Sequence, residues 1–313
     1  MKCFFNIVLC CIFIVLLAAC SNEEALDLTS TYSFSHEGQE IELVYFFEEI
    51  LNYTELEANQ TNEKTFTKTV LEPFEEKSSL TTNELTEFFS ETTNLNQLEE
   101  KTHELIDRQA ELNETIEKAM IEAIDLLPGE DTSFYIIPVN PDDWFTINNM
   151  KGIAGAAFFD NKVLLIIDPA VDEEMIQHTV AHEYNHIVHM AQNGSSSMAT
   201  VLDGVITEGK ADVFANILYP NTQVPWLEPL TDDEETATLE KLTDTFDSTL
   251  FVEYDDFLFG NISANIPQWA NYKIGYQIVE NFLDLNPNVP VLEWTTMDAD
   301  ELVKQTDYRY ILE

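Results

Sequence analysis

Residues 163–194 read VLLIIDPAVDEEMIQHTVAHEYNHIVHMAQNG, and this stretch decides the fold. Val163 to Ile167 is apolar at every position, the pattern of a strand buried on both faces. Asp168-Pro169 then opens a helix in the sequence reading, with Asp168 as N-cap and Pro169 in the first turn. Asp172, Glu173 and Glu174 follow where the helix dipole favours negative charge, and Asn193-Gly194 is a stop signal. Inside this helix stands His182-Glu183-Tyr184-Asn185-His186, an H-E-x-x-H motif. Positions four apart lie about one turn along the same face, so both imidazoles can reach one metal ion. Glu183 projects to the side, where it can hold a water on the metal without ligating it.

Outward from this stretch, two more strands are expected upstream, at 133–137 and 152–159, the second thinned by Gly155, Ala156 and Ala157. Asp160-Asn161 is the turn into Val163. From about 40 to 127 the apolar residues recur at three- and four-residue steps: Ile41, Val44, Tyr45, Ile50 and Leu51 early, Leu112, Ile116, Met120, Ile124 and Leu127 late. That spacing predicts helices until Pro128-Gly129 stops them. Downstream, helices are expected at 200–218, ending before Pro220, and near 232–249 and 268–284. The fold class is therefore α+β. A small mixed sheet lies beside the H-E-x-x-H helix, with a mainly helical N-terminal region over 37–128 and further helices in the C-terminal part of 129–313.

The start of the chain has its own logic. Lys2 precedes an apolar run from Ile7 to Leu17, which ends in Leu17-Ala18-Ala19-Cys20, and all four cysteines lie within these residues. That is the layout of a secretory signal, and the run is too short for a comfortable spanning helix. Leu-Ala-Ala-Cys resembles the bacterial lipobox. The resemblance implies a signal peptide over 1–19, diacylglyceryl modification of Cys20, and an extracytoplasmic protein held on the membrane by its lipid. Residues 20–36 are polar and acidic and are expected to be a flexible tether. With Cys20 acylated, no cysteine remains to form a disulfide or to serve as a ligand or nucleophile. The chain carries 58 acidic and 14 basic residues, a net charge of −44, which excludes nucleic acid as a partner because phosphate binding needs a basic footprint.

A catalytic zinc usually takes three protein ligands. The extended pattern with a third histidine fails, because His189 stands where its glycine belongs and Gln192 where its histidine belongs. The helix at 200–218 offers Glu208 and Asp212, four apart on one face beside an apolar stripe, which suits one ligand and one partner for a metal-bound histidine. Asp203 is the alternative third ligand. H-E-x-x-H followed about twenty residues later by E-x-x-x-D resembles the glutamate-zincins, and Ile166-Ile167-Asp168-Pro169, Asp203-Gly204-Val205-Ile206-Thr207-Glu208-Gly209 and Tyr272-Lys273-Ile274-Gly275-Tyr276 resemble domain-of-unknown-function family 2268. Lys210 departs from the apolar residue expected there.

That resemblance implies a zincin-like metallopeptidase domain over 129–313 with one zinc ion per chain on His182, His186 and Glu208, and Asp212 behind a ligand. It also implies a peptide or protein substrate and a metal-activated water with Glu183 as general base. An extended substrate would pair with the strand at Gly155, Ala156 and Ala157. The donor to the developing oxyanion would be a tyrosine, Tyr272 or Tyr276, with Tyr276 preferred. The rival class is a non-catalytic zinc- or substrate-binding lipoprotein, and Glu183 separates the two, since a binding site has no use for a carboxylate that does not ligate.

Overall fold

The computed structural model describes residues 30–56, 62–81, 85, 88–194 and 199–313. The signal segment, Cys20 and most of the expected tether lie outside them. Among the described residues no helix is long and apolar enough to cross a membrane.

The chain begins with a hairpin, β1 (Thr31–His36) and β2 (Gln39–Tyr45). Its turn residues Glu37 and Gly38 have φ of 49° and 87°, both left-handed, which is the two-residue turn that matches the twist of paired strands. Along β2, Gln39, Ile41 and Leu43 are buried while Glu40 and Glu42 are exposed, a period of two. The expectation of a tether through residue 36 and of helix from about 40 is corrected here. The same apolar residues fit a strand once Ile41 and Leu43 lie beside Thr132 and Phe134 of a parallel neighbour.

The helices of the N-terminal region follow: α1 (Phe47–Thr54), α2 (Glu63–Phe66), a π-helical turn at Thr67–Leu71, α3 (Glu72–Ser78), α4 (Leu95–Asp107) and α5 (Gln109–Leu126). After Pro128-Gly129 come β3 (Thr132–Pro138), α6 (Trp144–Asn148), β4 (Ile153–Phe158) and β5 (Lys162–Ile167). The motif helix is α7 (Glu173–Asn193), followed by α8 (Val201–Leu218), α9 (Asp232–Thr245), α10 (Phe251–Leu258), α11 (Ala270–Leu285), α12 (Val291–Thr296) and α13 (Ala299–Lys304).

The five strands form one mixed sheet in the order β1-β2-β3-β5-β4. β2, β3 and β5 run parallel, and β1 and β4 are the antiparallel edges. β3 and β5 are buried on both faces. Phe134, Ile136, Val163, Leu165 and Ile167 enter the core shared with α5, α7, α8 and α11, while Tyr135, Ile137, Leu164 and Ile166 enter a second core under α1 to α4. The helices α1 to α4 therefore cover the sheet face opposite the motif helix, while α5 packs on the motif helix's own side.

The β5–α7 connection also differs from the sequence reading. Asp168 caps no helix; its carboxylate accepts from the Ala170 N–H at 2.9 Å and pairs with Lys101. Arg108 donates to the carbonyls of Pro169 and Val171. Two of the chain's scarce cations thus fix a turn out of the sheet, and α7 starts four residues later, with Asp172 as its N-cap. Its end falls at Asn193, and Gly194 follows with φ 61° and ψ −148°, a conformation open essentially to glycine alone.

Candidate metal centre

The motif helix is held on both sides. Tyr184 is fully buried, and its hydroxyl donates to the Leu127 carbonyl at 3.0 Å and accepts from the Gln39 side chain at 3.2 Å. Gly129 leaves room for that hydroxyl: a Cβ there would lie 2.6 Å from it. On the far side, the Asn185 amide donates to the Thr295 hydroxyl at 3.1 Å, and His189 Nδ1 lies 2.7 Å from the Thr295 carbonyl. Lys210, the departure on α8, reaches the same place, donating to the Thr295 carbonyl at 3.2 Å and to that of Met297. Burial lowers its pKa to about 7, against the opposing pull of Asp298 and Asp203. Its ammonium thus satisfies carbonyls at the end of α12, where a helix accumulates negative partial charge.

α8 begins with a capping box in which the Thr200 hydroxyl accepts from the Asp203 N–H at 3.1 Å and Asp203 accepts from the Thr200 N–H at 2.9 Å. Asp203 is thereby a helix cap, and its reading as a metal ligand is set aside. At the residue after Glu208, α8 crosses α11 at backbone contact. A Cβ on Gly209 would lie 2.8 Å from the Gly275 Cα, so two glycines set the approach of the helices that carry Glu208 and Tyr272.

These supports bring three donors together. His182 Nε2 and His186 Nε2 lie 3.0 Å apart, and Glu208 Oε2 lies 3.3 Å from the first and 3.4 Å from the second. Zinc bonds of about 2.0–2.1 Å at tetrahedral angles separate donor atoms by about 3.3 Å, so the triangle fits one zinc ion. Glu208 Oε2 is buried without a hydrogen-bond partner among the described residues, as an atom reserved for a cation would be. Behind the triangle, Asp212 is fully buried, with Oδ1 3.0 Å from His182 Nδ1 and accepting from the Trp226 indole N–H at 3.0 Å. This pair fixes the His182 tautomer with Nε2 facing the metal.

The electrostatics also call for a cation. Glu183, Glu208 and Asp212 place three carboxylates around two imidazoles. Burial works against charge on His182, yet Asp212 and Glu208 outweigh it and hold its pKa well above the ordinary value. Burial likewise opposes ionisation of Glu208, but His186 and His182 bring it down to about 2. Glu183 is raised, burial outweighing the two histidines.

Glu183 stands outside the triangle, against the edge strand. Gly155 faces it: a Cβ there would lie 2.6 Å from Glu183 Cγ and 2.7 Å from Cδ. Gly155, Ala156 and Ala157 line the cleft that also contains His182, Glu183, His186 and Glu208. Among the described residues β4 pairs with β5 alone, on one side. Tyr276, in contrast, is turned away. Its hydroxyl donates to Glu280 at 2.8 Å and accepts from Asn216 at 2.9 Å, and it lines a separate groove. The preference for Tyr276 is corrected: Tyr272 lines the cleft, its ring centroid 6.2 Å from that of His182. One helical turn separates the two tyrosines, and the Gly275 crossing selects the first.

Sequence reasoning missed Trp226, Trp269 and Phe88, which sit in connections with no periodic signal; Phe88 reaches the cleft from the N-terminal region. His178 is buried behind the site with its ring 6.2 Å from Trp226. His36 pairs with Asp125 and His103 with Glu99, both away from the site.

Residues 112–304, more than half of the chain, match domain-of-unknown-function family 2268, described as predicted Zn-dependent proteases. The chain belongs to this family. The matched stretch contains the donor triangle, Glu183, Asp212 and the Gly209–Gly275 crossing. No curated protein and no solved structure matches the chain.

Proposed function

We propose that this protein is a zincin-like peptidase of the glutamate-zincin type that hydrolyses peptide bonds outside the cytoplasm, held on the membrane by a lipid on Cys20. The observation that carries the reading is Glu183, a carboxylate that faces the cleft without joining the donor triangle and for which Gly155 makes room. Zinc on His182, His186 and Glu208 supplies Lewis acidity, which acidifies water and polarises a carbonyl. Glu183 takes the proton of the attacking water at its carboxylate and passes it to the leaving amine. Its raised pKa moves it from an ordinary carboxylate towards the range of a working base. Tyr272 is the donor to the developing oxyanion; burial, with Glu208 adding to it, keeps its phenol well above the ordinary value and therefore protonated. Gly155, Ala156 and Ala157, on the open edge of the sheet, give an extended substrate a strand to pair with.

The test is cleavage of a mixed peptide library by the purified protein and by Glu183→Gln, with zinc content measured in both. Cleavage by wild type alone, with zinc retained in both, supports the proposal. Zinc retained without cleavage by either sinks the peptidase and favours a zinc-binding lipoprotein. Metabolic labelling with a fatty acid, lost in Cys20→Ala, tests the anchor separately.

A further inference from the structure

Trp226 stands in the connection between α8 and α9, on a short 3-10 turn over Pro225–Leu227, and its side chain is buried. The connection is tied to the two elements that wall the metal cleft. On one side Lys151, two residues before β4, donates to the Gln223 carbonyl at 2.5 Å. On the other Lys273, the neighbour of Tyr272 on α11, donates to the Glu228 carbonyl at 2.7 Å. In a chain with 14 basic residues against 58 acidic ones, two lysines serve neutral main-chain oxygens here. They make the connection a strap, fastened just before Trp226 and just after it.

From that strap the indole reaches two parts of the site. Its N–H donates to Asp212 Oδ1 at 3.0 Å, and the same oxygen lies 3.0 Å from His182 Nδ1. Asp212 is fully buried, and its Oδ2 has no hydrogen-bond partner among the described residues. The terminal torsion of an aspartate is broad, so rotamer preference does not hold the carboxylate in place. What holds it is the pair of contacts on Oδ1. One comes from the imidazole that Asp212 has to orient, which cannot serve as its own reference. The other comes from Trp226, whose position the strap sets independently. The ring of Trp226 meanwhile lies against Tyr272, with centroids 6.3 Å apart, and against Trp269 at 6.4 Å. These three rings line one recess together with His182 and Glu183.

We propose that Trp226 is a positioning residue of the metal centre. Through Asp212 its N–H fixes the orientation of the zinc ligand His182, and its ring fixes Tyr272 relative to that ligand. The first half rests on the donor geometry, whereas the second rests on the peptidase reading, so the two are measured separately.

For the first half, zinc affinity is measured by competition with a chromogenic chelator in wild type, Trp226→Phe, Asp212→Ala and the double variant. Trp226→Phe keeps a ring but has no N–H, and should bind zinc about three- to tenfold more weakly, the worth of one hydrogen bond. The effect passes through Asp212, so the same change on an Asp212→Ala background should alter affinity by less than about twofold. A ring that only filled space would be missed equally in both backgrounds. Cobalt(II) absorption needs no Asp212 variant: the ligand-field bands of Trp226→Phe should differ from those of wild type, because one imidazole is no longer held to a single orientation. Unchanged zinc affinity in Trp226→Phe, equal losses in the two backgrounds, or identical cobalt spectra would overturn the assignment. For the second half, kcat at saturating zinc should fall about tenfold further in Trp226→Ala than in Trp226→Phe, since only phenylalanine keeps a ring against Tyr272. Equal kcat values would overturn that half. A wild type that binds zinc and cleaves no peptide would sink the peptidase reading and the Tyr272 half with it, while the zinc affinities decide the first half by themselves.

Discussion

Gly155→Ala tests the site at its narrowest point. The added Cβ would stand 2.6 Å from Glu183 Cγ and 2.7 Å from Cδ, whereas carbon atoms in contact sit about 3.5–4.0 Å apart. One side must therefore yield by about 1 Å. β4 is fixed by its pairing with β5, Ala154 to Ile166 and Ala156 to Leu164 on either side of Gly155. Glu183 has the cleft open beside it and moves instead. A misplacement of about 1 Å at a reacting group lowers rate by about a hundredfold, equivalent to about 2.7 kcal/mol of transition-state stabilisation. His182, His186 and Glu208 are untouched, so zinc stays. The assay is kcat/KM on a peptide that wild type cleaves, with zinc content by mass spectrometry and a melting curve on the same samples. Loss of about two decades with zinc intact is the expected result. Activity within threefold of wild type would refute the claim that Gly155 exists to seat the Glu183 carboxylate.

Asp212→Asn should weaken zinc binding by about 10- to 100-fold, read by competition with a chromogenic chelator, because His182 loses the anion that orients it; unchanged affinity would remove Asp212 from the centre. Burial, with His182 adding to it and Asp212 opposing, lowers the pKa of His178 to about 4 from an ordinary 6.5. Between those values the unfolded chain binds the extra proton, so stability should fall as pH drops from 6.5 to 4, by at most about 3 kcal/mol. Denaturant midpoints of the metal-free protein and of His178→Phe should diverge in that window, and parallel profiles would contradict the assignment. Gly209→Ala gains helix propensity but drives a Cβ to 2.8 Å from the Gly275 Cα, so a net loss of about 1–3 kcal/mol is expected in chemical denaturation. A stabilised variant would show that the two helices can part freely.

What the sequence disclosed follows from how many physical constraints each stretch obeys at once. The motif helix was legible because its spacing, acidic first turn and glycine stop agree, and β5 because an unbroken apolar run beside a turn has few other uses. β1 and β2 were not. Ile41, Val44 and Tyr45 satisfy a three- and four-residue period as well as any helix, and only the Glu37-Gly38 turn and the exposed Glu40 and Glu42 argue for strands. Asp168-Pro169 is a helix opener in sequence terms, but Lys101 and Arg108, distant in the chain, claim it for a turn. The tyrosine choice turned on where α11 crosses α8, a contact between backbones that no side-chain pattern encodes. Trp226 acquires its role only by proximity to Asp212.

The opening hairpin has a consequence for how such a chain can be divided. The family match starts at residue 112, inside α5, yet β2 supplies the neighbour along the edge of β3 from Thr132 to Ile136. Without residues 31–45, the main-chain groups of a strand whose side chains include Phe134 and Ile136 would face solvent unpaired, a template for association with other chains. The segment by which relatives are recognised is thus smaller than the segment that must be inherited together to stay soluble. A gene fusion or circular rearrangement that kept only the recognisable part would carry the whole metal site and lack the strand that keeps it from aggregating.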